Sequence, residues 1–75
     1  MENAELDKLR FKYKAAVERW IEAIRAEENL ATPDHSMIES EKWDQANFAE
    51  QDAREIAKTA RQEYADALRE VLYNF

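Results

Sequence analysis

The residues best suited to chemistry in this 75-residue chain lie around its single histidine. Asp34 precedes His35, and Glu39 follows four residues after it. A spacing of four places two side chains on the same side of a helix, and imidazole and carboxylate groups bind transition metals. Together with Glu27 or Glu28, these residues would form a carboxylate–histidine metal site.

A structural role explains the same cluster better. Carboxylate-bridged metal bundles use Glu-x-x-His pairs that project into the core, and the chain contains no such pair. Acidic residues such as Asp34 and Glu39 are also typical of a solvated turn that leads into a helix N-terminus. We therefore predict no cofactor and no metal ligand, and keep a small metal-binding helical bundle as an alternative function.

Other enzymatic motifs are absent from the sequence. Ser36 is adjacent to His35 in a predicted turn, which does not set a nucleophile against a base. The chain has no cysteine and no glycine, so it offers neither a thiolate nor a glycine-rich phosphate loop. We expect a protein that is not an enzyme.

The composition predicts a single all-α domain over residues 1–75. The chain has no glycine and one proline, Pro33, whereas turn-rich β folds need residues that accept positive φ. Strong helix formers dominate the remainder. The 45% hydrophobic and 11% aromatic content favours a folded chain over a disordered one.

The net charge of −6 limits the classes of partner. Phosphate backbones and anionic membrane surfaces need clustered Lys and Arg, so we expect neither nucleic acid nor membrane as a partner. The N-terminal residues lack the apolar segment of a signal peptide, and we expect a cytoplasmic protein. Six acids and one base fall within residues 31–53, which leaves an acidic regulator that blocks a basic protein surface as a further alternative.

Apolar residues at steps of three and four predict a first helix over residues 3–30. Asn3 is a suitable N-cap. The apolar stripe of this helix consists of Leu6, Leu9, Tyr13, Val17, Trp20 and Ile24.

A break at residues 31–36 and a second helix at 36–73 follow. Pro33 disfavours helix at the residue before it, and Ser36 with Glu39 forms a capping box. One face of the second helix is rich in alanine, which allows another helix to approach closely. This face consists of Trp43, Ala46, Ala49, Ala53, Ile56, Ala57 and Ala60.

A short connection favours an antiparallel hairpin. If the chain folds back near Pro33, the numbers of facing residues sum to about 67, so Tyr13 faces Ala53 and Leu9 faces Ala57. This register leaves about ten residues at the end of the second helix without a partner from the first, at 1.5 Å per residue.

Two helices alone provide a thin core, and chains of this size commonly complete it by oligomerisation. We therefore predict that two hairpins dimerise into a four-helix bundle rather than a long regular coiled coil. The leading functional interpretation is a non-enzymatic interaction module that self-associates and binds a protein partner. The residues assigned to the oligomer interface are Phe11, Ile21, Leu68, Val71, Leu72 and Phe75.

Overall fold

The computed structural model describes residues 3–30 and 39–73, and both ranges are helical. Helix α1 covers Asn3–Leu30 and helix α2 covers Glu39–Tyr73. The all-α prediction is confirmed. The predicted turn and capping box at 31–36, as well as Phe75, lie outside the described residues.

The two helices pack against each other as a hairpin, as predicted. The molecule is a rod with principal extents of 55 × 15 × 13 Å and a radius of gyration of 17.0 Å. A compact chain of this length has a radius of gyration of about 11 Å. Most side chains of the rod therefore lie within one layer of the surface.

The contact between the helices is made of alanine. The residues of the described ranges that are buried all have a methyl side chain, and they are Ala16, Ala57, Ala60 and Ala67. Tyr13, Val17 and Trp20 pack against the first three of them. We call this line of contact the alanine seam. The large side chains lie along its edges, because close helix approach leaves no space for them inside.

The register differs from the predicted one. Tyr13, predicted to face Ala53, packs against the cluster of Ala16, Ala57 and Ala60 and lies beside the ring of Tyr64. The contacts of Trp20 with Glu50 and of Tyr13 with Tyr64 lie about three and ten residues beyond the predicted register, or roughly 5 to 15 Å along α2. The cause of this difference is visible in the sequence, because alanines recur every seven residues along α2 and each heptad offers α1 an equivalent face. The alanine pattern alone does not distinguish these registers.

The new register also corrects the prediction of an unpartnered end of α2. Ala67 is only 4% exposed, and Leu68 is half-buried. The N-terminal part of α1 therefore reaches further along α2 than a fold-back at Pro33 allows. Exposed apolar side chains remain at Val71, Leu72 and Tyr73.

We predict that Ala60→Glu destabilises the hairpin by roughly 3 kcal/mol or more, since it buries an unpaired charge in the alanine seam. Gln51→Glu introduces the same group at an exposed position of α2 and should change the free energy of unfolding by less than about 0.5 kcal/mol. Urea unfolding followed by circular dichroism at one protein concentration checks both. Equal stability of the two variants would contradict the position of the seam.

Candidate functional site

A partly buried carboxylate links the two helices near the middle of the molecule. The indole Nε1 of Trp20 in α1 donates a hydrogen bond of 2.8 Å to Oε2 of Glu50 in α2. One turn further along α2, Arg54 Nη2 donates to Oε1 of Glu50 at 3.3 Å. Arg54 Nε lies 3.2 Å from Oε2, and the Glu50 side chain is 14% exposed. The carboxylate therefore receives a neutral donor from one helix and a cation from the other.

This arrangement suits positioning better than proton transfer. An ionised carboxylate only accepts hydrogen bonds, and both Glu50 oxygens are already in contact with Trp20 or Arg54. We call Trp20, Glu50 and Arg54 the polar clamp. It fixes the position of the Trp20 side chain over the alanine seam.

A second set of contacts joins the helices nearer the chain ends. Lys12 Nζ lies 2.9 Å from Oε2 of Glu63, and both side chains are substantially exposed. The neighbouring rings of Tyr13 and Tyr64 have centroids 6.2 Å apart at an interplanar angle of 31°, within the range of favourable aromatic pairs. These contacts and the polar clamp together hold the observed register.

Two shallow concavities flank Ile56 on one long side of the hairpin. One has a volume of about 250 Å³ and the other about 270 Å³, below the roughly 300–1,000 Å³ of small-molecule pockets. The first is lined by Lys12, Glu55, Ile56, Thr59 and Ala60. The second is lined by Lys12, Ala15, Ala16, Arg19 and Ile56. Ile56 and Lys12 belong to both.

Most residues assigned to packing between the helices are shielded from solvent. The buried or half-buried ones are Leu6, Leu9, Tyr13, Val17, Trp20, Ile24, Ala46, Ala53, Ala57 and Ala60. Ile56 departs from that assignment, with 49% of its surface exposed. The seam passes through Ala57 and Ala60, which places Ile56 at its edge. Ala49 is exposed as well, and Trp43 is 40% exposed.

The described residues among those assigned to an oligomer interface are spread over both helices. Phe11 and Ile21 are exposed on α1, ten positions apart, which is about 15 Å along a helix. Phe11 lies beneath the Arg10 guanidinium, 5.4 Å from its ring centroid. Val71 and Leu72 are exposed near the end of α2, whereas Leu68 is half-buried. Whether they contact a second chain stays a prediction.

Phe48 is a candidate contact residue that the helix-face pattern missed. It is 68% exposed, more than any other large apolar side chain described. The sequence signal for its exposure is its position two residues after Ala46, away from the alanine-rich face of α2. Asp44 and Asp52 lie four residues to either side of it, so it projects from an acidic surface.

The metal-binding alternative depends on the residues around His35. Among the described side chains of residues 3–30 and 41–73, no group of three or more His, Cys, Asp or Glu residues is placed to hold a metal ion. Asp34, His35 and the side chain of Glu39 lie outside the described part of the chain. Among the residues described, neither helix is long and apolar enough to cross a membrane.

Comparison with known proteins gives no relative. No family model matches the chain, and no curated protein or solved structure matches it. The side chains and their geometry are therefore the basis for a functional assignment.

We predict that Trp20→Phe lowers the free energy of unfolding by about 1–2 kcal/mol, because it removes the donor to a partly buried carboxylate. Trp43→Phe removes the same atoms from a side chain without a described role in the clamp and should cost less than half as much. Denaturant unfolding at matched protein concentration compares them. Equal losses would show that the indole–carboxylate bond does not contribute to stability.

Proposed function

We propose that this chain is a non-enzymatic helical-hairpin module that self-associates, with two hairpins forming a four-helix bundle, and that it offers its remaining surface to a protein partner. The supporting observation is how little the hairpin buries alone. Every buried residue described is an alanine, and no large side chain in the described ranges is fully enclosed. Such a core supplies little of the hydrophobic stabilisation that a domain needs.

The exposed area of the chain measures how much surface a single hairpin leaves unburied. The chain exposes 6101 Å², whereas a compact monomer of 8.9 kDa exposes about 4,800 Å². The excess is about 1,300 Å² per chain relative to that scaling. Covering it in a pair of chains would bury about 2,600 Å² in total, which falls in the range of obligate homodimers.

The shape of the hairpin fits the same proposal. Its two short Cα extents are 15 and 13 Å, about the width of two packed helices. Helices pack at 8–10 Å between axes, and a second hairpin laid along the first would convert the exposed edges of the alanine seam into the interior of a bundle. Four-helix bundles with short loops have this antiparallel arrangement.

The polar groups support a binding role over a catalytic one. The least exposed of the described ion pairs, Glu50 with Arg54, is part of the polar clamp with Trp20. The concavities beside Ile56 are small and lie on an open surface. Exposed apolar side chains, in contrast, lie along both helices, and a partner chain that covers them would remove apolar surface from water.

Light scattering over a dilution series, with helicity followed by circular dichroism at the same concentrations, tests this proposal. We expect the mass of a dimer at high concentration, and loss of helicity as the dimer dissociates on dilution. A chain that stays monomeric and fully helical throughout would overturn self-association as the way in which it completes its core.

A further inference from the structure

One long side of the hairpin carries two parallel rows of exposed side chains. The row on α1 is Lys8, Lys12, Ala15 and Arg19, at steps of four, three and four. The row on α2 is Asp52, Ile56, Thr59 and Glu63, at the same steps, and it continues one heptad on to Glu70. We call this side the Ile56 face.

The structure places the central residues of both rows on the same side, and helical spacing extends each row to Lys8, Asp52 and Glu70. The concavities next to Ile56 are lined from α1 by Lys12, Ala15 and Arg19 and from α2 by Thr59. The ion pair between Lys12 and Glu63 crosses from one row to the other. Between Lys8 and Arg19 the charges on the α1 row are all positive, whereas those on the α2 row are all negative.

We propose that the Ile56 face receives a second copy of this chain, related by a two-fold axis that runs parallel to the helices, so that α1 of each copy lies on α2 of the other. This inference rests on the proposed self-association and specifies its surface and its orientation. Ile56, assigned from the sequence to packing between the two helices of one chain, is in this proposal a contact between two chains.

The charges select the orientation. Rotation about an axis parallel to the helices lays each basic α1 row on the acidic α2 row of the other copy, at the same height along the rod. Rotation about an axis across the helices would instead lay the two α2 rows on each other, and like charges would face like charges at a cost. Both arrangements make every neighbouring pair of helices antiparallel, as in an up-down bundle, so the charges are what distinguish them.

The apolar shapes along the face are complementary to themselves. Ile56 projects between two concavities whose apolar walls are small residues, Ala15, Ala16 and Ala60. In an isologous contact the same patch is used twice, so Ile56 of each copy can enter a concavity of the other as a knob enters a hole. Larger residues at the alanine positions would fill those holes.

The first test compares Ile56→Ser with Leu72→Ser by sedimentation equilibrium and circular dichroism. Leu72 is 64% exposed at the end of α2 and is the matched control. We expect Ile56→Ser to weaken dimerisation by at least about tenfold, as loss of a central contact does, and Leu72→Ser to leave it near wild type. The reverse ranking, or no loss in either variant, would overturn the Ile56 face while self-association itself still stands. A monomeric wild type would overturn the proposed function.

The second test exchanges charges and does not depend on a loss of folding. Arg19 and Asp52 lie at similar heights in opposite rows. Arg19→Glu alone and Asp52→Lys alone should each weaken the homodimer, because each places like charges across the interface. An equimolar mixture of the two variants should form a heterodimer more tightly than either variant forms a homodimer. If the mixture gains nothing over the separate variants, the pairing of the rows is wrong.

The third test measures the orientation directly. The chain has no cysteine, so Arg69→Cys, at an exposed position near the end of α2, can carry one spin label per chain. Two labels at the same end of a bundle are separated by about 20–30 Å, given helix diameters of about 10 Å. An axis across the helices at Ile56 would place them about 40 Å apart, because each label lies thirteen residues, or about 20 Å, from Ile56 along α2. The longer distance would overturn the proposed orientation.

Discussion

The close approach of two helices along a line of alanines is the constraint on which the rest of this structure depends. Methyl side chains on both sides of the seam let the two helix axes come close together. No large side chain therefore fits between Ala16 of α1 and Ala57 and Ala60 of α2. The aromatic residues of α1 consequently lie over the edges of the seam and remain partly in contact with water. A core of this kind is narrow. The rod therefore exposes more surface than a compact monomer of the same mass.

The same constraint explains why polar side chains specify the register. An alanine seam that repeats every heptad accepts α1 at several heights, and hydrophobic burial differs little among them. The bond from the Trp20 indole to Glu50 and the ring contact between Tyr13 and Tyr64 each exist at one height only. The exposed ion pair of Lys12 with Glu63 adds little free energy, as surface pairs generally do, but it is satisfied in the same register.

These relations show how much of the molecule was predictable from its sequence. The absence of glycine and the steps of three and four were sufficient for two helices packed as a hairpin. The register was not predictable from the same pattern, because the residues that decide it are a tryptophan and a glutamate thirty positions apart. Ile56 was assigned to the seam for a related reason: it adjoins Ala57 in sequence, and its exposure depends on a rotation of α2 that periodicity fixes only approximately. The contacts of the candidate site depend on the register between the two helices, so the sequence pattern did not predict them either.

The central claim is that one hairpin leaves its core incomplete and a second chain completes it. The most direct test is the midpoint of thermal unfolding, measured by circular dichroism over a thousandfold range of protein concentration. Because association stabilises only the folded form, mass action raises the midpoint as concentration rises. We expect a continuous increase of several degrees across this range. A midpoint that is independent of concentration would show that the isolated hairpin is stable by itself and would contradict the claim.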